Sequence, residues 1–148
     1  MPSTTAATPL EIYRQMQRAV LREDGPTLLP AELLADDVVV ETPFSPPGAR
    51  RFEGRAAWLE FYASRPLPFR FEAFRELSTL ATAEPEVLVV EYELTGTVTT
   101  TGLPGTAAFI AVLRVRDGKI ALWREYQDLP AISRALSLRP EDLSRSPR

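Results

Sequence analysis

From Phe69 to Asp128 the chain reads as four strands in close succession, Phe69 to Leu80, Glu86 to Thr100, Thr106 to Arg116 and Lys119 to Asp128. Turn-forming residues separate them at Ala83-Glu84-Pro85, Gly102-Leu103-Pro104-Gly105 and Asp117-Gly118. Connections this short join neighbouring antiparallel strands, so the second half is a meander. The first half is mostly helical. Thr8-Pro9-Leu10-Glu11 has capping-box spacing with Pro at the first helical position, and Ile12, Met16, Ala19 and Val20 recur at helical intervals, which predicts a helix from about Pro9 to Glu23, ended by Gly25-Pro26. A short helix around Pro30 to Leu34 leads into the β-branched run Val38 to Val40, a strand that stops in a loop at Pro43, Pro46, Pro47 and Gly48. Arg55 to Ser64 is helical and gathers Trp58, Phe61 and Tyr62 on one side, with Pro66 and Pro68 beyond its end. A last short helix is expected near Pro130 to Leu136. Helices first and strands after give an α+β protein, with helices on one face of a curved, mostly antiparallel sheet.

The 148 residues are expected to form one domain over residues 8–136, with terminal tails at 1–7 and 137–148. A formal charge of −3 provides no cationic field for phosphates, so nucleic acid is not expected as a partner. No window approaches 18 apolar residues and Met1 to Ala7 is not a secretion signal, so no membrane association and a cytoplasmic location are expected.

The chain contains no Cys and no His. That excludes thiolate and imidazole nucleophiles, a Ser-His-Asp triad and the usual zinc and iron–sulfur sites, and the reading is of a protein with no metal and no cofactor. Proton transfer near neutral pH falls to Asp, Glu, Tyr or the single Lys119, and a carboxyl serves best when burial raises its pKa.

The element order and several segments resemble the SnoaL-like branch of the nuclear transport factor 2-like superfamily over about Thr8 to Leu136. Leu34 to Phe44, Gly54-Arg55 and Phe61-Tyr62 are similar to ketosteroid isomerases; Asp117-Gly118-Lys119-Ile120 and Arg124-Glu125-Tyr126 recur across the superfamily. The resemblance implies a cone-shaped α+β barrel whose sheet wraps the N-terminal helices, and a pairing of two copies through the outer sheet face.

Residue by residue, the resemblance departs from the known chemistries. The three catalytic positions of ketosteroid isomerases fall on Thr42, Ala19 and Ala111, so dienolate isomerisation by that mechanism is excluded. The Arg-x-Asp pair of limonene-type epoxide hydrolases becomes Glu91-Tyr92-Glu93, while the last strand keeps the pattern as Trp123-Arg124-Glu125-Tyr126. The pocket Glu of the phenazine-biosynthesis A/B proteins is matched by Glu125, and their partner His falls near Phe61.

Strand alternation puts Trp123, Glu125 and Gln127 on one face and Arg124, Tyr126 and Asp128 on the other. By resemblance the Glu125 face lines the pocket. The substrate-binding set is then Thr42, Phe44, Trp58, Phe61, Glu91, Phe109, Trp123 and Met16, with Glu125, Glu93 and Tyr62 as catalytic groups. Val90, Tyr92 and Leu94 fall on the opposite face and make it apolar enough for a homodimer seam. Alternatives stay open on the residues alone: Glu125 salt-bridged to an Arg, the three rings as ordinary core, and Glu91 and Glu93 toward solvent if the register differs by one.

The function expected is a cofactor-free acid/base enzyme, an isomerase, cyclase or dehydratase of a small lipophilic metabolite, with Glu125 moving the proton. One alternative is an epoxide hydrolase or epoxide-opening cyclase using Glu125 with Glu93; another is a noncatalytic binding or assembly protein.

Overall fold

The computed structural model describes residues 5–22, 28–45, 48–64 and 67–137. Helix α1, Pro9–Val20, starts as its sequence dictates: the Thr8 hydroxyl accepts from the Glu11 amide while the Glu11 carboxylate accepts from the Thr8 amide. Its apolar stripe of Ile12, Tyr13, Met16, Ala19 and Val20 is buried. A 3-10 turn over Ala31–Leu33 leads into strand β1, Leu34–Thr42. Strand β2, Arg50–Glu53, lies in the segment expected to be loop, and helix α2 follows over Arg55–Ser64. Then come β3, Phe69–Ala81; β4, Val87–Val98; β5, Pro104–Arg116; β6, Lys119–Gln127; and helix α3, Leu129–Ser137. Helix α1 stops at Val20, with Leu21 as its C-cap, short of the expected end near Glu23; the Gly25-Pro26, Pro46-Pro47 and Pro66 breaks and the tail beyond residue 137 lie outside the described residues.

The six strands form one sheet in the order β2-β1-β6-β5-β4-β3. All neighbours are antiparallel except β1 and β6, which run parallel because β6 returns from the meander beside the first strand. Register shifts in β3 between Phe71 and Ala73 and between Glu76 and Ser78 mark bulges, which bend a strand and increase its twist. The sheet curls without closing, leaving β2 and β3 as edges. This is the α+β architecture with a curved sheet around its helices, open along one side.

The core fills the concave side. Leu88, Val90, Tyr92 and Leu94 of β4, Ala111 and Leu113 of β5, and Ile120 and Trp123 of β6 meet α1 and β1 there. The alternation in β4 is strict, every second residue being buried. Gly96 of β4 is held by packing: a Cβ there would lie 2.0 Å from the Arg70 carbonyl oxygen of β3. Among the described residues no helix is long and apolar enough to cross a membrane.

Candidate functional site

Glu125 is the one charged residue buried in the core of the described residues, at 5% exposure. It stands on β6 opposite Ala111, on the concave face. Its carboxylate accepts three hydrogen bonds: Oε2 from the Tyr92 hydroxyl at 2.5 Å and from Trp123 Nε1 at 3.3 Å, Oε1 from Gln127 Nε2 at 3.0 Å. All three donors are neutral, and among the described residues Glu125 has no ion-pair partner. Burial pushes the Glu125 pKa up, and the three donors only partly oppose it. The Tyr92 phenol is pushed well above its ordinary value by its own burial and by the adjacent carboxylate, so it stays protonated and donating.

Tyr92 is fixed by its neighbours. Its ring stacks on Phe74 at 4.7 Å and on Phe109 at 5.3 Å, and Tyr13 packs against it at 6.5 Å between ring centroids. Tyr13 is itself fully buried, with its pKa raised to about 12, chiefly by burial.

Two cavities, of about 240 and 340 Å³, open from the concave face and share Leu28, Leu67, Pro68, Glu125 and Gln127 as walls. The smaller lies under α3: Phe69, Phe71, Leu94 and Phe109 of the sheet face Ile132 and Ala135 of the helix. The larger lies between β1, β2 and α2, with Val40, Phe52, Trp58, Phe61 and Trp123 as its apolar walls. Thr42, Ser45, Arg50 and Tyr62 add polar groups to it. The Ser45 hydroxyl donates to Thr42 Oγ1 at 2.8 Å. Burial raises the pKa of Tyr62, and a backbone hydrogen bond from Leu28 to its hydroxyl acts the other way. The rings of Phe52, Trp58, Phe61 and Tyr62 pack together, Phe52 on Phe61 at 4.5 Å and Trp58 on Tyr62 at 5.7 Å.

The structure thus brings Glu125, Trp123, Thr42, Tyr62, Trp58, Phe61 and Phe109 to the walls of these cavities. Four other expected positions lie elsewhere. Glu91 and Glu93 stand on the convex face, because Val90, Tyr92 and Leu94 take the buried parity of β4. Glu91 pairs across the sheet with Ile110 and Ser78, and Glu93 lies 3.4 Å from Arg75 Nε. Phe44 is 59% exposed and packs edge-on against Tyr126 at 5.3 Å. Met16 is sealed in the core under α1 and lines neither cavity. The apolar seam expected from Val90, Tyr92 and Leu94 is for the same reason not on the convex face. Arg124 is on that face: its Nε donates to Glu41 at 2.7 Å, and Arg51 also pairs with Glu41, whose pKa is lowered chiefly by the Arg124 hydrogen bond.

Residues not expected at the site include Tyr92, the donor nearest the carboxylate, and the α3 side chains over the smaller cavity. The polar-apolar alternation of Glu91-Tyr92-Glu93-Leu94 is the signal that marks Tyr92 as inward. Among the described residues no group of three or more Asp or Glu side chains gathers closely enough to hold a metal ion.

The description of the SnoaL-like domain family matches residues 13–123. The uncharacterized protein YesE of Bacillus subtilis (strain 168) is 31% identical over 117 residues, 78% of this chain and 78% of that protein. A crystal structure of a candidate isomerase from Bacillus subtilis is similar with TM-score 0.76 at 26% identity, covering 86% of this chain and 91% of that one. The Δ5-3-ketosteroid isomerase of Mycobacterium sp. is similar with TM-score 0.64 at 26% identity, covering 84% of this chain and 97% of that one. The chain belongs to the SnoaL-like domain family, within the nuclear transport factor 2-like superfamily.

Proposed function

We propose that this protein is a cofactor-independent acid/base enzyme that isomerises, cyclises or dehydrates a small lipophilic metabolite, with Glu125 as the group that moves the proton. One observation carries the reading: a buried carboxyl with no ion-pair partner among the described residues, held by three neutral donors, forms a wall common to two largely apolar cavities. A carboxylate has about four lone-pair positions, and three are occupied by Tyr92, Trp123 and Gln127. The remaining one is available to a C–H or O–H of a substrate. Apolar surroundings make the ionised form a stronger base and make the protonated product of its action easy to hold. The proton taken at one atom is then returned to another carbon, giving isomerisation or ring closure, or to a departing oxygen, giving dehydration. Tyr62 and Thr42 hold polar substrate atoms in the larger cavity. The likeness to a ketosteroid isomerase supports a lipophilic substrate.

Epoxide opening by Glu125 together with Glu93 is disfavoured, because Glu93 is on the opposite face of the sheet from Glu125. We also propose a homodimer through the convex face, where Val89, Ile110 and Val112 lie on adjoining strands and Ile110 is 43% exposed. Light scattering on the purified protein tests that reading, a monomer overturning it.

The functional reading is tested by incubating the source cell's small-molecule extract with wild type and with Glu125→Gln, followed by mass spectrometry. A product of unchanged mass made by wild type alone identifies an isomerase or cyclase, and loss of one water a dehydratase. A compound that co-purifies with both proteins and is never converted replaces this reading with a binding role.

A further inference from the structure

The two cavities that meet at Glu125 differ in chemistry. In the one under α3, the polar lining residue besides the shared Glu125 and Gln127 is Thr106. Its hydroxyl lies 3.1 Å from that of Thr95, its cross-strand partner, on the face opposite the buried Leu94. Hydrocarbon walls remain, led by Phe69, Phe71, Leu94 and Ile132. The cavity beside α2 instead carries Thr42, Ser45, Tyr62 and Arg50. Arg50 is the one Lys or Arg among the described lining residues of either cavity, and its guanidinium carbon lies 5.4 Å from the centroid of the Phe61 ring.

We propose that the site takes an elongated amphiphile with a single carboxylate, its head against Arg50 in the α2 cavity and its hydrocarbon part under α3, so that the middle of the molecule crosses Glu125. The inference rests on the reading of the two cavities as one substrate site and adds the class of substrate. A guanidinium recognises a carboxylate through paired N–H donors, and the hydroxyls of Thr42, Ser45 and Tyr62 lie in the same cavity. The opposite orientation is disfavoured, because a carboxylate under α3 loses its water and, among the described lining residues, finds no inward-facing donor side chain beyond Gln127. The Glu125 carboxylate also repels an anionic head that stops midway. Arg50 therefore sets both the head-group preference and the direction in which the chain lies across the proton-transfer group.

Calorimetric titration near neutral pH with decanoate and with decan-1-ol tests this. Wild type is expected to bind decanoate at least about tenfold more tightly than the alcohol. Arg50→Gln reduces that ratio to about one, and Arg50→Lys restores part of it. Ala135→Phe, which fills space under α3, weakens both ligands alike. Equal binding of the two ligands by wild type, a preference that survives in Arg50→Gln, no change in Ala135→Phe, or no binding of either ligand overturns the proposal. Because the preference is read without turnover, it fails separately from the acid/base reading: full turnover by Glu125→Gln removes that reading and leaves a decanoate preference intact.

Discussion

The hydroxyl of Tyr92 reaches the carboxylate of Glu125 at 2.5 Å although their strands, β4 and β6, are separated by β5. What permits the reach is the small residue between them: Ala111 faces Glu125 across β5 and β6 and Val90 across β4 and β5. The distance lies in the range of charge-assisted O–H···O⁻ bonds, the stronger class of hydrogen bond in a protein. The pair is a buried acid and its principal donor, clamped between stacked rings.

Tyr92→Phe removes that donor while keeping the ring. A hydrogen bond to a charged group contributes about 1.5–3 kcal/mol, so urea unfolding should show a loss of that order. The same change withdraws the donor that most favours the ionised carboxyl, and the Glu125 pKa rises further. If Glu125 acts as the base, the acid limb of the kcat/KM profile moves to higher pH in Tyr92→Phe, an effect that loss of packing alone does not produce.

The raised pKa of Glu125 has a consequence for stability with a defined sign. Between the unfolded value, about 4.3, and the raised native value, the folded protein holds a proton that the unfolded chain has released. Stability from this group is complete below the lower value and is lost as pH rises through the higher one. Urea midpoints of wild type and Glu125→Gln measured from acid to neutral pH should therefore diverge in favour of the variant as pH rises. The divergence amounts to about 1.4 kcal/mol for each unit of pKa elevation and levels off above the native pKa.

Glu93→Gln is expected to leave product formation within about twofold of wild type and stability within about 0.5 kcal/mol, because its partner Arg75 is mostly exposed on the convex face. Turnover assays on the two Glu→Gln variants side by side check it. A collapse of turnover in Glu93→Gln reinstates a two-carboxylate mechanism.

Much of the architecture is legible in the sequence because its signals are local. Thr8 and Glu11 cap α1, Asp117 and Gly118 adopt positive φ in the β5–β6 turn, and α2 spans Arg55–Ser64 as its aromatic spacing indicates. The strand Arg50–Glu53 was not legible: four residues with two arginines give no alternation strong enough to identify an edge strand. The buried face of β4 does not follow from the resemblance. Val87, Leu88, Val89 and Val90 are apolar at both parities, so the entry to the strand does not reveal which side is buried. Glu91 and Glu93 do reveal it, since two carboxylates on a concave apolar face need partners that the sheet does not offer there. Phe44 follows β1 and is therefore expected at the pocket, but the turn after Thr42 carries it to the convex side beside Tyr126.

Gly96→Ala is expected to destabilise the sheet by about 3 kcal/mol, since the new methyl meets the Arg70 carbonyl oxygen at 2.0 Å and the Phe69 ring at 2.7 Å. Gly48→Ala, where a Cβ meets nothing within 4 Å among the described residues, should leave stability within about 0.5 kcal/mol. Thermal unfolding of the two variants distinguishes a clash of the new methyl with the Arg70 carbonyl and Phe69 ring from a general penalty for losing glycine.

Proton transfer by Glu125 requires a buried carboxyl whose pKa stands above the ordinary glutamate range. Carbon-13 NMR titration of the glutamate side-chain carboxyls, with the Glu125 signal assigned by its absence in Glu125→Gln, tests it directly. A midpoint clearly above the ordinary glutamate range is expected in wild type, and a higher one in Tyr92→Phe. A midpoint at or below the ordinary value, unmoved by Tyr92→Phe, would contradict it.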